Sequence, residues 1–287
     1  MSNPLTIRTV GIVLRPSTPE LKSLFYEIKA VFERRGVEVL VDAVSAGMIG
    51  VLGQDFDAMC QKSDILVCIG GDGTLISLAR RSYVYHKPIL GINAGTLGFL
   101  VDINPQEAEG FIDKLFVGQY RIDERMMLEA CLQNGEQKRS MHAFNDIVIS
   151  RPTISKMVKV DAYIDGKWFN TYYGDGLILS TPTGSTAYNL AAGGPVTFPL
   201  TDAFIFTPIC PHSLTQRPLV TPANFTIDIR VPDKESVVIV DGQEQYDFGP
   251  EMVLTIKKAP VGAKLIHRLE RNYFDVLREK LSWGQMR

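Results

Sequence analysis

An apolar run that ends in a glycine-rich turn is the feature that most constrains the fold of this chain. Ile65–Ile69 has the length and composition of a buried strand, Gly70–Thr74 (GGDGT) follows it directly, and Leu75–Arg81 has helix-like spacing. A strand that turns at once into a helix is typical of a parallel α/β sheet, and the amides of such a turn can approach an anion. Asp72 would repel a phosphate there unless a metal ion or a substrate hydroxyl lies beside it. The aspartate therefore indicates chemistry at this turn.

The first third of the chain continues the same alternation. Thr9–Leu14, Val37–Val41 and Pro88–Ile92 are further strand candidates. Apolar residues at helical spacing follow the first of them, and Ser17 and Glu20 have the spacing of a capping box at the start of that helix. Repeated alternation of strand and helix predicts parallel pairing with right-handed crossovers.

A second glycine-bearing segment, Asn93–Leu100 (NAGTLGFL), follows the strand candidate at Pro88–Ile92. In open α/β sheets, ligands bind outside the carboxyl ends of the strands. Two glycine-bearing turns after separate strands therefore predict one crevice shared by Gly70–Thr74 and Asn93–Leu100.

From about Leu128 the apolar pattern changes to the period of two that is typical of strands. Asn134-Gly135, Asp165-Gly166 and Asp241-Gly242 have the composition of tight hairpin turns. Short connections between alternating segments predict a largely antiparallel sheet structure.

These patterns predict two domains. Residues 1–122 form an α/β domain, and residues 123–264 form a β-rich domain. Tyr273–Leu281 has helical spacing again, so we expect residues 265–287 to return to the first domain.

Composition places the chain among ordinary globular proteins. It has 287 residues and a formal net charge of −2, which provides no general attraction to nucleic acid or to an anionic membrane. The four cysteines form no C-x-x-C pair, and no apolar run approaches the roughly 20 residues that a membrane-spanning helix needs. The first apolar run lacks the basic region that precedes it in a signal peptide. These features predict a cytoplasmic protein with reduced thiols.

Neither standard nucleotide-binding motif accounts for the glycine-rich turn. The P-loop pattern is absent, and Ile76 occupies the position at which a Rossmann fingerprint would have its third glycine. The residues alone leave two interpretations of about equal weight. One is a phosphate-binding turn, and the other is a tight turn in which the Asp72 carboxylate is favoured by the helix dipole.

Gly70–Thr74 resembles the Gly-Gly-Asp-Gly signature shared by NAD kinases, diacylglycerol and sphingosine kinases and phosphofructokinases. Three further segments resemble the NAD kinase family of the bacterial type. Asn93–Leu100 is similar to its N-x-G-x-x-G-F-L segment, Asn145-Asp146 to its Asn-Glu/Asp pair, and Asp175–Pro195 to its long glycine-rich signature. The resemblance covers nearly the whole chain.

The resemblance implies a Rossmann-like α/β domain, a β-sandwich domain and a catalytic cleft between them. It implies transfer of the γ-phosphoryl group of ATP to the 2′-hydroxyl of the adenosine ribose of NAD, which gives NADP, with Mg²⁺ or another divalent cation accompanying ATP. The implied phosphate-binding residues are Gly70, Gly71, Gly73 and Thr74. Asp72 would act as the general base, and metal binding is its alternative role. Homodimers or homotetramers are implied as well.

The resemblance also implies NAD-binding residues, which combine carboxylate, amide and aromatic groups suited to a dinucleotide. They are Asp72, Gly73, Asn145, Asp146, Lys156, Tyr173, Asp175, Thr186, Ala187, Tyr188, Asn189, Leu190, Ala191 and Gln243. Asp146 is one methylene shorter than the glutamate often found at its position. Tyr173 replaces a basic residue of some members, which leaves the preference between NAD and NADH open. For Tyr188, an ordinary core tyrosine is the alternative to a ring that stacks on a base.

Two other functions fit the short signature. One is a kinase of the same superfamily that acts on a lipid or a sugar phosphate, against which Asp175–Pro195 and the lack of a basic amphipathic helix argue. The other is a non-catalytic nucleotide sensor, in which Asp72→Asn would change neither activity nor binding. The four histidines lack metal-ligand spacing, and we assign no metal to them.

Overall fold

The computed structural model describes residues 5–95, 98–152, 157–233 and 235–283. The chain divides into two compact units, residues 1–124 with 263–287 and residues 125–262. Each unit has its own cluster of buried apolar side chains. In the part of the chain that the structure describes, no helix is long and apolar enough to cross a membrane.

Strands alternate with helices in the first unit and follow one another in the second. The strands are β1 (Thr9–Leu14), β2 (Glu38–Val41), β3 (Ile65–Gly70), β4 (Ile89–Asn93), β5 (Arg121–Arg125), β6 (Leu128–Asn134), β7 (Gln137–Ala143), β8 (Asp146–Ser150), β9 (Val158–Ile164), β10 (Lys167–Gly174), β11 (Gly176–Ser180), β12 (Ala203–Ile209), β13 (Leu219–Pro222), β14 (Ile227–Arg230), β15 (Ser236–Val240), β16 (Glu244–Phe248), β17 (Met252–Lys258) and β18 (Ala263–His267). The helices are α1 (Lys22–Glu33), α2 (Ala43–Ile49), α3 (Phe56–Lys62), α4 (Asp72–Arg81), α5 (Pro105–Phe116), α6 (Tyr188–Ala191) and α7 (Tyr273–Leu281), with short 3₁₀ turns at Pro19–Leu21, Tyr83–Tyr85 and Thr183–Thr186.

The sheet of the first unit has the strand order β2-β1-β3-β4-β18-β5, and its pairs from β2 through β18 are parallel. Every residue of β3 and β4 is buried, as expected for parallel strands that are covered on both faces. Because parallel strands end at the same edge, the segments after β1, β3 and β4 lie side by side. The Arg15 amide donates to the Ile69 carbonyl at 2.9 Å, and the Ala94 amide donates to the Gly70 carbonyl at 3.0 Å.

The second unit is a sandwich of two antiparallel sheets. Their strand orders are β10-β9-β14-β17-β6-β7 and β13-β12-β11-β8-β15-β16. Alternate side chains of both sheets, such as Val160 in β9 and Ile149 in β8, enter one apolar cluster. Asp165 and Asp241 have φ values of 49° and 50°, so both hairpin turns adopt the left-handed backbone that their Asp-Gly sequences predict. The predicted combination of an α/β domain with a β-sandwich domain is confirmed.

The predicted capping box before α1 is wrong. Ser17 has a φ of 55°, which is not the extended backbone of an N-cap residue, and α1 begins only at Lys22 after a 3₁₀ turn. Thr18 at the start of that turn makes no capping hydrogen bond; its hydroxyl donates to the Pro16 carbonyl at 2.9 Å and accepts from the Arg15 Nε at 3.1 Å. The chain entry into α1 is therefore held by a local turn rather than by Ser17 and Glu20.

Candidate functional site

The glycine-rich turn joins β3 directly to α4, which begins at Asp72 with Gly71 as its N-cap. A Cβ atom added to Gly71 or Gly73 would meet no heavy atom within 4 Å, so the space beside both residues is open. The Thr74 amide donates to the Gly71 carbonyl at 3.1 Å and is engaged within the first turn of the helix. Its participation in a phosphate site therefore stays a prediction. A Cβ atom at Gly70 would lie 2.5 Å from the Thr74 hydroxyl, so glycine is required there for strand and helix to pack.

The Asp72 carboxylate binds the segment that follows β4. Its Oδ2 accepts a hydrogen bond from the Phe99 amide at 2.7 Å, and its Oδ1 accepts from the Leu100 and Val101 amides at 3.1 and 3.0 Å. A Cβ atom added to Gly98 would lie only 2.0 Å from Oδ1, so this close approach requires glycine. The two glycine-bearing segments thus lie together and Asp72 itself joins them, while the ligand crevice that they were predicted to share stays a prediction.

Arg15 is a cation at this edge of the sheet that the sequence patterns do not reveal. It follows β1, its Nε donates to the Thr18 hydroxyl at 3.1 Å, and a Cβ atom on Gly95 would lie 3.4 Å from its Nη1. Its own Cβ is 3.2 Å from the position of a Gly70 Cβ. The Arg15 side chain therefore begins beside Gly70 and ends with its guanidinium beside Gly95. In the sequence, Arg15 is marked only by its position one residue after the first strand. That position indicates a site residue only when the strand order is known.

The second unit contains a cavity of about 580 Å³ that brings together five of the predicted NAD-binding residues. These are Asn145, Asp146, Ala187, Tyr188 and Gln243. Tyr188 is 47% exposed, which excludes the alternative of a core tyrosine. The Asn145 Oδ1 is buried, and no group of the described residues donates a hydrogen bond to it, so it is an acceptor that a ligand could satisfy.

Asp241 anchors the wall of this cavity. Its Oδ2 accepts from the Phe144 amide at 2.8 Å, and its Oδ1 accepts from the Asn145 and Asp146 amides at 2.7 and 2.9 Å. Burial, together with the negative charge of Asp241, raises the pKa of Asp146 from 3.8 to about 7. The sequence pattern identifies Asp241 only as a turn residue, and its anchoring role requires the strand order to be known.

The long glycine-rich segment supplies both exposed and buried residues. Asn189 is fully buried; its Nδ2 donates to the Ser185 and Pro195 carbonyls at 3.0 and 3.1 Å, and its Oδ1 accepts from the Thr207 hydroxyl at 2.6 Å. These contacts within the chain hold the segment in shape, and the predicted contact of Asn189 with NAD stays a prediction.

The neighbours of Asn189 in the predicted set are more accessible. Thr186 and Leu190 are half-buried, and Ala191 is exposed. Their contacts with a ligand stay predictions.

Asp175 and Tyr173 lie next to the β10–β11 connection rather than among the residues that line the cavity. Asp175 forms an ion pair with Arg151, whose Nη2 lies 3.1 Å from its Oδ2. The exposed ring of Tyr173 contacts the His212 ring edge-on, with centroids 5.9 Å apart. Lys156, also predicted to bind NAD, lies outside the described residues.

The described side chains offer no dedicated metal cage. Among them, no group of three or more histidine, cysteine, aspartate or glutamate residues could hold a metal ion. Mg²⁺ commonly keeps several waters and binds through one or two carboxylates plus substrate phosphates. The absence of a cage from the described residues is therefore compatible with a cation carried by a nucleotide.

Comparison with known proteins relates both halves of the chain to one family. Residues 10–120 match the model of the ATP-NAD kinase N-terminal domain, and residues 144–268 match that of the ATP-NAD kinase C-terminal domain. The chain is 53% identical over 286 residues to the NAD kinase of Wolinella succinogenes, with 99% of each covered. It is 49% identical over 279 residues to the NAD kinase of Sulfurimonas denitrificans, covering 97% of this chain and 98% of that one.

Two solved structures have the same fold. Yeast NADH kinase complexed with NADH matches with a TM-score of 0.90 at 27% identity, covering 99% of this chain and 90% of that one. An NAD kinase from Archaeoglobus fulgidus in complex with ATP matches with a TM-score of 0.75 at 25% identity, covering 96% and 98%.

Proposed function

This chain belongs to the NAD kinase family, and from that premise we propose how its residues carry out the ATP-dependent phosphorylation of NAD. The γ-phosphoryl group of ATP passes to the 2′-hydroxyl of the adenosine ribose of NAD and gives NADP. The observation that carries the proposal is the Asp72 carboxylate, fixed by three amides at the first turn of α4 beside two open glycine positions.

On the donor side, the proposal uses the N-terminus of α4 and Arg15. The open space beside Gly71 and Gly73 allows phosphate oxygens to approach the backbone, and the positive end of the helix dipole favours them there. Phosphoryl transfer depends mainly on positioning and on neutralising the charge of the transferred group. Arg15 supplies a positive charge beside Gly95, in the segment that follows β4.

On the acceptor side, Asp72 is proposed to accept the proton of the ribose hydroxyl. A carboxylate has about four lone-pair positions, and three of those of Asp72 accept backbone amides. Oδ2 accepts only the Phe99 amide among these bonds, so the remaining position is on Oδ2. A positioned base of this kind contributes on the order of 10²–10⁴ in rate.

The cavity of the second unit is proposed to hold part of the dinucleotide. Tyr188 offers a half-exposed ring for stacking on a base, and the Asn145 Oδ1 offers an unused acceptor. Burial and the charge of Asp241 raise the pKa of Asp146 to about 7, so at neutral pH a large share of this carboxyl is protonated and can donate to a hydroxyl.

Three further features of the proposal rest on the family resemblance. Mg²⁺, or another divalent cation, would accompany ATP and neutralise charge on its phosphates, and Asp72 is the carboxylate within the phosphate-binding turn. The protein would assemble as a homodimer or homotetramer. It would function in the cytoplasm.

The direct test is an assay of the purified full chain with ATP and Mg²⁺. NADP formation from NAD supports the proposal, and parallel reactions with NADH establish the acceptor preference that Tyr173 leaves open. Phosphorylation of diacylglycerol or a sugar phosphate, without NADP formation, would instead identify a different kinase of the superfamily. Failure to form NADP with Mg²⁺ present contradicts the proposal.

Tyr188→Ala tests the acceptor side separately. Loss of a ring that stacks on a base should weaken NAD binding by about 1–3 kcal/mol, measured by titration calorimetry. Tyr26→Ala is the matched control, because Tyr26 is also 47% exposed but lies on α1 in the other unit. Equal NAD affinity of both variants and the wild type would remove stacking from the proposal.

A further inference from the structure

The segment that Asp72 binds is held from its other side by an arginine near the C-terminus. The Arg271 Nη1 donates to the Leu100 carbonyl at 3.2 Å, and its Nη2 donates to the Phe99 carbonyl. Both residues also present their amides to Asp72, so one short stretch of backbone lies between a guanidinium and a carboxylate.

Shared peptide groups connect the contacts of Arg271 with those of Asp72. The Phe99 carbonyl and the Leu100 amide belong to one planar peptide group, and the Leu100 carbonyl and the Val101 amide belong to the next. In each group the carbonyl accepts from Arg271, and the amide donates to Oδ1 of Asp72. Hydrogen bonds in such a chain polarise one another, so the positive charge strengthens the donors that face the carboxylate.

The guanidinium is itself fixed in place. The Arg271 side chain is 6% exposed, its Nη1 lies 2.9 Å from the Asp102 Oδ2, and the same nitrogen is 2.7 Å from the His267 Nδ1. Burial acts to raise the pKa of Asp102, but the contact with His267 and the positive charge of Arg271 outweigh it and hold that pKa below its usual value. Asp102 is therefore an ionised partner that orients the arginine.

We propose that Arg271 is a positioning residue for catalysis, which sets the orientation of the Asp72 carboxylate through the Phe99–Leu100 and Leu100–Val101 peptide groups. This inference rests on the proposed function, in which Asp72 accepts the proton of the ribose hydroxyl. Without Arg271, the loop keeps its amides but loses the charge that aligns them, and Asp72 leaves its productive orientation.

The main test is Arg271→Ala in the full-length protein, with steady-state kinetics for ATP and NAD. We expect kcat to fall by about 10- to 100-fold, since small displacements of a reacting group cost factors of this size. KM for NAD should stay near the wild-type value, because Arg271 acts on Asp72 and not on the bound substrate. Millimolar guanidinium chloride should restore part of kcat to this variant, which a general loss of stability would not allow.

Arg278→Met is the matched control, because Arg278 lies on α7 and pairs with Asp275 at the surface. It should have wild-type kinetics. Arg271→Lys keeps the charge but cannot donate in two directions from a planar fork, so its kcat should fall between the alanine variant and the wild type. Arg271→Lys also provides the test of the proposal if Arg271→Ala does not fold.

Hydrogen exchange provides a readout that does not depend on the activity. The amides of Leu100 and Val101 should exchange faster in Arg271→Ala than in the wild type. If the wild type makes no NADP but this exchange difference appears, the proposed function fails while the coupling stands. A folded Arg271→Ala protein with wild-type kcat, a rise in KM that accounts for the whole loss, or no rescue by guanidinium would overturn the inference.

Discussion

The two units each contain an aspartate that accepts three successive backbone amides, and the two arrangements match atom for atom. Asp72 takes the amides of residues 99–101, and Asp241 takes those of residues 144–146. In both, Oδ2 accepts the first amide and Oδ1 accepts the next two. Both aspartates precede a glycine, and both fix a segment that follows or precedes a strand of a buried sheet.

The difference lies on the far side of each segment. Arg271 donates to the carbonyls behind Asp72, whereas neutral groups donate to the carbonyls behind Asp241. The Thr181 hydroxyl donates to the Phe144 carbonyl at 2.8 Å, and the Thr181 amide donates to the Asn145 carbonyl at 2.8 Å. Hydrogen bonds from an ionised donor are roughly twice as strong as neutral ones. The segment that binds Asp72 in the first unit therefore has a charged donor to its carbonyls, and the segment that binds Asp241 in the second unit has neutral donors.

The contrast teaches that accepting three amides does not by itself define a catalytic aspartate. A second carboxyl, that of Asp146, is buried near Asp241, and its pKa is raised. Asp72 has a cation behind its loop and open space beside the adjacent glycines. We infer that the arrangement around Asp72 serves a reaction and that the arrangement around Asp241 maintains the shape of a binding cavity.

The largest effect should come from Asp72→Asn compared with Asp241→Asn. The first removes the base and places an amide hydrogen against a backbone donor, so kcat should fall by about 10²–10⁴. The second should cost about 1–3 kcal/mol of unfolding free energy, because an ionised acceptor of three amides is lost. Steady-state kinetics and urea unfolding of both variants make the comparison. Near-normal turnover in Asp72→Asn, with NADP formed at the wild-type rate, would remove the catalytic role.

Gly98→Ala should have the next largest effect. A Cβ atom at this position would lie 2.0 Å from Asp72 Oδ1, so the loop must move away from the carboxylate. We expect kcat to fall by about 10- to 100-fold, with little change in KM for NAD. Gly110→Ala is the control, because a Cβ atom there meets nothing within 4 Å and lies within α5. A Gly98→Ala enzyme with wild-type kcat would show that the close approach to Asp72 has no catalytic importance.

Local patterns predicted the elements well because periodicity and turn composition act over short distances. The predicted strand at Ile65–Ile69 and helix at Leu75–Arg81 lie within the observed β3 and α4, and the hairpins at Asp165 and Asp241 follow from their Asp-Gly sequences. The capping box at Ser17 was wrong because a left-handed turn at that residue overrides the favourable spacing.

Features that depend on the order of the strands were beyond the sequence patterns. Arg15 meets the two glycine-bearing segments only because β1 lies beside β3 in the sheet. Arg271 reaches Phe99 over a separation of 172 residues, and no spacing rule connects them. The motif that contains Asn189 does not predict its burial or its internal hydrogen bonds, since a pattern does not show which of its residues face inward. Motifs thus located the candidate site, while the supporting contacts required the fold.

The last prediction concerns the Asp146 carboxyl and the pH dependence of the unfolding free energy. Burial and the charge of Asp241 raise the pKa of Asp146 to about 7 in the folded protein, against an ordinary value of 3.8. Between these values the folded state binds more protons than the unfolded state, so unfolding free energy falls as pH rises, by up to about 1.4 kcal/mol per pH unit. The Asp146→Asn variant lacks this titrating group, so its unfolding free energy should not show this fall with pH. Its stability relative to the wild type should therefore increase as pH approaches 8.

Urea unfolding at pH 4, 5, 6, 7 and 8 measures this difference, with Asp247→Asn as the control because Asp247 is an exposed carboxylate in the same unit. The difference between wild type and Asp146→Asn should change across pH 4 to 7 and level off above it, while Asp247→Asn follows the wild type throughout. A constant difference for Asp146→Asn would mean that this carboxyl is ionised in the folded protein and that burial beside Asp241 does not raise its pKa.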